Sequence, residues 1–414
     1  MSEHNIFDTA IHALRTAGRL GSIDPTVVEL LSAPKRIFEF RIPLRMDDGA
    51  VRFFTAWRVQ YNDALGPCKD GTRIRPSLSL DEVKALAFFM TIKHAVAGIP
   101  GGGSKGGIQA DPRQLSAWEF ERLCRAYVRC LPSKGPWTDV PGADIGTNEQ
   151  TMAWMLDEYE QIAGHHMPAA VNDKPPVLGG SLGGEAATAR GVYHTLCAAA
   201  EDNGIEVAGA KVVIQGYGQV GSAAAELLHR AGAKVVAVSD VHGGILRDEG
   251  LDIPRLKEHV AETGSVVGFA GARPVSNEEL FGVDCAILIP AAVQSVVHEG
   301  NADAVKARLI VEAANSPVTP AAEQALLARG VFIVPDVVAN CGSALVCSFE
   351  RTQGLTDEYW DLDTVNARLE TRILGAYREA VATAQEAGTD SVRSGAWIKA
   401  LRKIGKAVRL RGWG

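Results

Sequence analysis

The chain has 414 residues, 46% of them hydrophobic and 22% charged, with a formal charge of −7. That length sets two domains as the starting expectation, each with its own core. The acidic balance gives no reason to expect nucleic acid or an anionic membrane as a partner, and no apolar run approaches membrane-spanning length.

The amino-terminal "MSEHNIFDTAIHALRTAG" lacks signal-peptide features, and seven cysteines without a CxxC pair read as reduced thiols of a cytoplasmic protein. Residues 38–60 alternate in strand fashion about the turn "MDDG". Ser79 with Glu82 predicts a capping box opening a helix that runs to about Ala97. Val83, Leu86, Met90 and Ala97 recur in it at helical spacing as a buried stripe, and Lys93 falls on the same stripe. An ammonium there either meets an anion or snorkels outward along its stem. "GGGSKGG" follows, with Lys105 in a bed of glycines. A Walker loop needs glycine before its lysine and Ser or Thr after it; here Ser104 precedes and Gly106 follows, so this is not a phosphate cradle. The glycines are expected to leave space for substrate beside Lys105.

Helices are predicted at 115–130 and 148–163, and the paired histidines His165–His166 fall in a predicted loop with no metal site expected. "VNDKPPVLGGSLGG" (171–184) breaks the pattern and reads as an interdomain crossing. Beyond it, strands at 211–216, 234–240, 284–290, 308–314 and 331–336 alternate with helical stretches, which predicts a parallel α/β sheet. Directly after the first of these, "GYGQVG" sets Gly216, Gly218 and Gly221 in GxGxxG spacing around Tyr217, Gln219 and Val220. The glycines allow a tight turn, backbone approach to a pyrophosphate and close helix packing, and the helix N-terminus holds the phosphate charge. Asp240 ends the second strand, where a carboxylate accepts from ribose hydroxyls and repels a 2′-phosphate; NAD is therefore expected, with His242 and Arg247 leaving NADP open.

The stretches "FRIPLRMDDG", "YNDALGPCKDGTR", "LDEVKALAFFMTIKHAV", "GGGSKGG", "VPGADIGTN", "GGSLGGEAATARG", "QGYGQVG", "VEAANSP" and "VPDVVANCG" together resemble the glutamate dehydrogenase family, the wider group that includes leucine, phenylalanine and valine dehydrogenases. The resemblance spans residues 38 to about 350. It implies an α/β protein with a substrate-binding and oligomerisation domain at 1–184, a Rossmann-type NAD(P) domain at 185–364, a carboxy-terminal helix at 365–414 packing back, and an active site in the cleft between the domains. It further implies reversible oxidative deamination of an L-amino acid, first of all L-glutamate to 2-oxoglutarate and ammonium, in a homo-oligomer that is commonly a hexamer. By position, Lys69 matches the grip on the distal carboxylate, Lys93 the partner of the α-carboxylate, Lys105 the catalytic lysine and Asp144 the catalytic carboxylate. Thr188 and Asn315 match residues near the nicotinamide and substrate. Burial and the nearby Lys93 are expected to lower the Lys105 pKa.

The chain departs from the family pattern where substrate is read. Asp70 stands where "KGG" has glycine, and Cys347 stands for a serine that helps hold the distal carboxylate. Gly184 replaces an arginine, Ala186 and Ala189 replace the glutamate and glycine of "EATG", Ser295 an asparagine, and Ser104 a glycine beside Lys105. These favour, as rivals to glutamate, a bulkier amino acid or one without a free distal carboxylate. A regulatory or inactive subunit of a mixed oligomer is a third reading.

Overall fold

The computed structural model describes residues 6–413. Its contacts form two units. One takes the chain up to Gly184, then Ala344–Val365 and the residues from Trp397 on; the other takes Glu185–Ser343 and Asn366–Ala396.

The first unit opens with helices α1 (Ile6–Leu20) and α2 (Pro25–Leu30), then strands β1 (Arg36–Arg45) and β2 (Val51–Asn62), which form an antiparallel hairpin around the predicted turn. Next come β3 (Cys68–Ile74), α3 (Leu80–Val96), β4 (Gly102–Ile108), α4 (Ala117–Cys130), β5 (Asp139–Ala143) and α5 (Glu149–Ala163). The sheet runs β1-β2-β4-β3-β5, with β3 parallel to both β4 and β5. Ile42, Phe54, Ile74 and Ile108 on one face pack against Leu123 and Tyr127 of α4 and Met152 and Met155 of α5. Each side chain of this size contributes roughly 1.5–3 kcal/mol by leaving water.

Two expectations for α3 change. Ser79 caps it by accepting from the Glu82 N–H at 3.3 Å, but the Glu82 carboxylate is taken by Arg73 and Arg75, so the box stays open. Its fully buried positions include Val83, Ala85, Ala87, Phe88, Ile92, His94, Ala95 and Val96, and Ala97 is buried at its end, while Leu86, Met90 and Lys93 share a half-buried face. The helix is apolar around most of its circumference, so spacing alone places Val83 and Ala97 correctly but not Leu86 and Met90. Lys93 is thus less enclosed than the pattern predicts.

The second unit contains α6 (Gly184–Asp202), β6 (Lys211–Gln215), α7 (Gln219–Arg230), β7 (Lys234–Asp240), β8 (Gly243–Leu246), α8 (Ile253–Thr263), β9 (Arg273–Val275), β10 (Ile287–Pro290), β11 (Leu309–Val311), α9 (Pro320–Ala328), β12 (Phe332–Val334) and α10 (Asp336–Ala339). Helices α11 (Gly342–Thr356), α12 (Leu362–Glu386) and α13 (Val392–Leu410) complete the chain. The sheet order is β12-β11-β10-β6-β7-β8-β9. Strands β12 to β7 are parallel as predicted; β8 and β9 add an antiparallel edge, because the chain doubles back after Asp240 instead of crossing over. The order reverses at β6, and the carboxyl end of such a strand is where doubly wound sheets bind ligands.

The expected division after residue 184 at 185–364 and 365–414 differs from these units in the last third. Ala344–Val365 joins the first unit because α11 carries the Ala344 carbonyl to Lys69 and Glu350 to the buried Lys174. Asn366–Ala396 joins the second because Arg393 binds Glu312, Glu323 and Asp336 at 2.6–2.8 Å. Helical periodicity does not say against which core a helix packs. No described helix is long and apolar enough to cross a membrane, and all seven cysteines are free.

Candidate active site

"GGGSKGG" is not a loop. It forms most of β4, a central strand buried at every position. Its glycines serve close packing, not space for substrate. A Cβ on Gly103 would lie 2.2 Å from the Thr91 nitrogen of α3, one on Gly106 2.1 Å from the Tyr127 hydroxyl, and one on Gly107 2.1 Å from the Arg73 carbonyl. The strand thereby seats α3 and its neighbours tightly and fixes the backbone that carries Lys105.

Alternation along β4 sends Ser104 and Lys105 to opposite faces. The Ser104 hydroxyl donates to Asp139 at 2.7 Å and accepts from Arg58 at 2.7 Å, both fully inside the fold. Arg58 closes a fork on Asp139 (2.8 and 2.6 Å) and also donates to the carbonyls of Asp70 (2.9 Å) and Gly71 (3.2 Å). Ser104 therefore belongs to a buried ion pair beneath the site, and the hydroxyl expected beside the catalytic amine points away from it. Sequence reading missed Arg58 and Asp139. Their only signal is a charge in a strand, and β2 is buried on both faces near Arg58, which erases the alternation that marks an inward position.

On the other face, the Lys105 Nζ donates to Asp70 Oδ2 at 2.6 Å and pairs with Asp144 Oδ2. The three side chains are 8%, 18% and 10% exposed. Asp144 follows β5. Its Oδ1 accepts from Arg73 (3.2 and 3.0 Å) and from the Ile145 N–H (2.6 Å), and Gly71 leaves room for it, since a Cβ there would come within 2.7 Å of the Asp144 Cβ. Arg73 in turn reaches Glu82 at 2.7 Å.

Burial by itself would depress the Lys105 ammonium, but the Asp144 and Asp70 carboxylates outweigh it and raise the Lys105 pKa. The expected lowering is thus reversed, because the sequence shows the lysine's cationic neighbours and hides the two carboxylates that touch it. Burial likewise opposes charge on Asp144, yet Lys105 and Arg73 hold it ionised and lower its pKa. His94, wholly buried, is pushed down to about 3 by burial and by Lys69, so it is neutral and its Nδ1 sits 2.9 Å from the Gly102 carbonyl oxygen.

Lys69, buried on β3, donates to the Ala344 carbonyl at 3.3 Å. Cys347 lies on α11 with its Sγ 3.0 Å from Asp173 Oδ1. Burial and that carboxylate push the thiol well up, so Cys347 keeps its proton and spends it on Asp173. Asp173 also accepts from the Ala143 N–H at 2.9 Å. The first unit therefore brings Lys69, Lys105, Asp144 and Cys347 into one neighbourhood and adds Asp70, Asp173 and Arg73. Lys93 is half-buried on α3, next in sequence to His94.

The second unit carries the other predicted residues. Gly216 has φ of 99°, a conformation that favours glycine. A Cβ on Gly221 would lie 1.9 Å from the Gly216 carbonyl, whereas one on Gly218 would meet nothing within 4 Å. Gly218 caps α7 without a side-chain partner, leaving its first N–H groups facing open space. Around this turn the buried Gln215 Oε1, Tyr217 hydroxyl and Ser239 hydroxyl lack partners among the described residues. An open cradle at a helix N-terminus, ringed by unspent polar atoms, fits a dinucleotide pyrophosphate. Gln219 donates to the Glu185 carbonyl at 3.2 Å, and Val220 is half-buried at the start of α7. Asp240 accepts from the His242 N–H (2.8 Å), the Ser265 hydroxyl (2.7 Å) and the Val266 N–H (2.7 Å). Three of its roughly four acceptor positions are taken, which leaves about one for a ribose hydroxyl. Thr188 is half-buried on α6; Asn315 is exposed and accepts from the Asn340 amide at 2.9 Å.

Comparison with known proteins gives a consistent result. The family model for the Glu/Leu/Phe/Val dehydrogenase dimerisation domain matches residues 34–161, and that for Glutamate/Leucine/Phenylalanine/Valine dehydrogenase matches residues 179–412. The chain is 42% identical, over its full length and 99% of the relative, to a glutamate dehydrogenase of Thermotoga maritima. It is 41% identical to NAD-specific glutamate dehydrogenases of Staphylococcus aureus, covering 98% of them. Among solved structures, the hetero-hexameric glutamate dehydrogenase of Thermus thermophilus in its Leu bound form superposes with a TM-score of 0.93 at 37% identity, over 100% of this chain and 98% of that one.

Proposed function

The chain belongs to the Glu/Leu/Phe/Val dehydrogenase family, and from that premise we propose that it is a glutamate dehydrogenase, an NAD(P)-dependent oxidoreductase acting on the CH–NH2 group of its donor. The observation that carries the site assignment is the enclosed Lys105 ammonium in direct contact with the Asp144 carboxylate, with Lys69 on the adjacent strand.

A bound NAD(P)+ would supply the acceptor for the substrate's α-hydrogen, which leaves as hydride with its two electrons. The substrate is left as an iminium, which water attacks. Lys105 removes a proton from that water as the C–O bond forms, then supports the developing oxyanion. Asp144, ionised at rest beside Lys105 and Arg73, first takes a proton from Lys105 and passes it to the amino nitrogen; the carbinolamine hydroxyl then gives its proton to the Asp144 carboxylate, and ammonia leaves as the carbonyl forms. For Lys105 to accept a proton it must first give one up, and Asp144 is the acceptor in contact with it. Lys69 and Lys93 are assigned to the distal and α-carboxylates of the substrate. Thr188 is assigned to the nicotinamide side and Asn315 to both nicotinamide and substrate, with Gly216, Tyr217, Gly218, Gln219, Val220 and Gly221 at the pyrophosphate.

Asp240, ionised with its pKa lowered by the Val266 and Ser265 hydrogen bonds against partial burial, supports NAD over NADP, because a 2′-phosphate would meet a like charge. A second reading rests on Asp70 and on the Cys347–Asp173 pair near Lys69: they add negative charge where a distal carboxylate would sit, which supports an amino acid without one. One assay decides. Purified protein is expected to oxidise NADH with ammonium and 2-oxoglutarate, and NADPH less efficiently by on the order of tenfold or more. Turnover confined to other 2-oxo acids gives the second reading, and NADH oxidation without ammonium sinks both. Retention of Lys69, Lys93, Lys105 and Asp144 supports a working subunit over a purely regulatory one.

Self-association into a homo-hexamer is part of the proposal. Ile37, Val51 and Phe53 on the β1–β2 hairpin are 44%, 55% and 57% exposed, and the strand face that carries them, shared with Arg41 and Arg45, offers apolar and charged groups to a second copy. Light scattering reading a monomer would remove it. Work in the cytoplasm is supported by the seven free cysteines.

A further inference from the structure

Asp70 stands where the family pattern has glycine, and its backbone keeps a glycine-like geometry with φ of 150°. A residue with a side chain persists in such a conformation when its surroundings over-determine it. Here Arg58 grips the Asp70 carbonyl at 2.9 Å and the Gly71 carbonyl at 3.2 Å, while β3 is laddered to β4 on one side and β5 on the other. The strained position delivers a carboxylate onto the Lys105 Nζ at 2.6 Å, opposite the one that Asp144 supplies. We propose that Asp70 is a positioning residue that clamps Lys105 as an ammonium in the free enzyme, so that the base needed for deamination becomes available only toward alkaline pH. This rests on the reading of Lys105 as the catalytic base.

The charge balance supports the clamp. The groups around Lys105 are Asp70, Lys69 and Arg73 of β3, Asp144 after β5, Lys93, His94 and Glu82 of α3, and Arg58 of β2. Arg58 is spent on Asp139, Arg73 on Asp144 and Glu82, and His94 is neutral. Lys69 lies close enough to Asp70 to help lower its pKa, but it is Lys105 that donates a hydrogen bond to the Asp70 carboxylate. Loss of the Lys105 proton leaves Asp70 and Asp144 facing a neutral amine, whereas with Asp70 uncharged a single carboxylate remains. The Asp70 carboxylate therefore pulls the Lys105 pKa up, in the same direction as Asp144 and against burial.

The test is the pH profile of deamination kcat/KM in the intact oligomer for Asp70→Asn, which keeps the shape and removes the charge, and for Asp70→Gly, the family residue. The acid limb is expected to move to lower pH by about one unit or more, the size of shift a contacting opposite charge produces. On that limb, activity at fixed pH should rise on the order of tenfold per unit. A changed KM for the amino acid with an unmoved profile would assign Asp70 to Lys69 and overturn the clamp. Acetylation of Lys105 by acetic anhydride, quantified by mass spectrometry, reads the neutral amine without turnover. It is expected to quicken by a similar factor in both variants, and an unchanged rate would overturn the proposal even in an inactive variant. If Lys105→Ala retains turnover, the catalytic reading fails, and the acetylation rates still decide whether Asp70 holds the ammonium.

Discussion

Lys105→Ala is expected to lower ammonium-dependent turnover by about 10²–10⁴, the range a positioned acid–base group supplies, while dinucleotide binding measured by calorimetry stays near the parent value. The selectivity follows from location. Lys105 hangs from a central strand whose backbone is paired with β2 and β3, so an alanine there keeps the ladder. The dinucleotide cradle of Gly216, Gly218 and Gly221 lies on a different sheet. Removing the ammonium leaves Asp70 and Asp144 without their shared cation, so one of them takes up a proton more readily and the variant's residual activity should fall off differently with pH. Turnover within a factor of about three of the parent would remove Lys105 from the chemistry.

The second large effect is on stability. Asp139→Ala is expected to destabilise the first unit by about 3–5 kcal/mol, because the Arg58 guanidinium is fully enclosed and loses its bidentate partner. Ser104 and Gln60 lose an acceptor at the same time. The measurement is the denaturant midpoint of the first unit's transition, followed by its own tryptophans. A cost below about 1 kcal/mol would mean that water reaches Arg58. Replacing both partners, Arg58→Met with Asp139→Ala, should recover part of the loss, since no buried charge then stands alone. The Asp70 backbone depends on the same guanidinium, so Asp139→Ala should also slacken the contact between Asp70 and Lys105.

The parts of this molecule that sequence makes legible are those in which the physics is local. "GYGQVG" between a strand and a helix already implies a tight turn, an open cradle and a donor-rich helix end. The hairpin, α3, α4, α5 and five parallel strands follow from periodicity and caps. What stays hidden depends on register between distant segments. Asp70 and Lys105 meet because β3 and β4 run parallel with Lys69 opposite Gly103, and nothing in either segment announces that neighbour. The same holds for Arg58, Ser104 and Asp139, which come from three strands. Reading "GGGSKGG" as spacious follows from counting missing side chains. The strand is in fact crowded, because α3 and the flanking strands have closed onto the gap each missing Cβ leaves. Lys93 shows the converse, where a clean helical spacing is right at Val83 and Ala97 and puts Leu86, Met90 and Lys93 deeper than they lie.

The order in which a ribosome delivers this chain adds a consequence of how the two units are stitched. Synthesis proceeds at about 5–20 residues per second, and domains ordinarily close as they emerge. Here the first unit has its sheet by Gly184 yet still lacks α11 and the residues from Trp397 on, which arrive roughly 10–40 s later at that pace. The second unit waits almost as long, since until Arg393 emerges the carboxylates of Glu312, Glu323 and Asp336 have no shared cation to gather them. Nascent chains halted at residue 390 are therefore expected to be cut by protease throughout, and full-length chains to become resistant in both units at nearly the same moment. An early resistant fragment ending near Gly184 would show that the first sheet stands without its late-arriving helices.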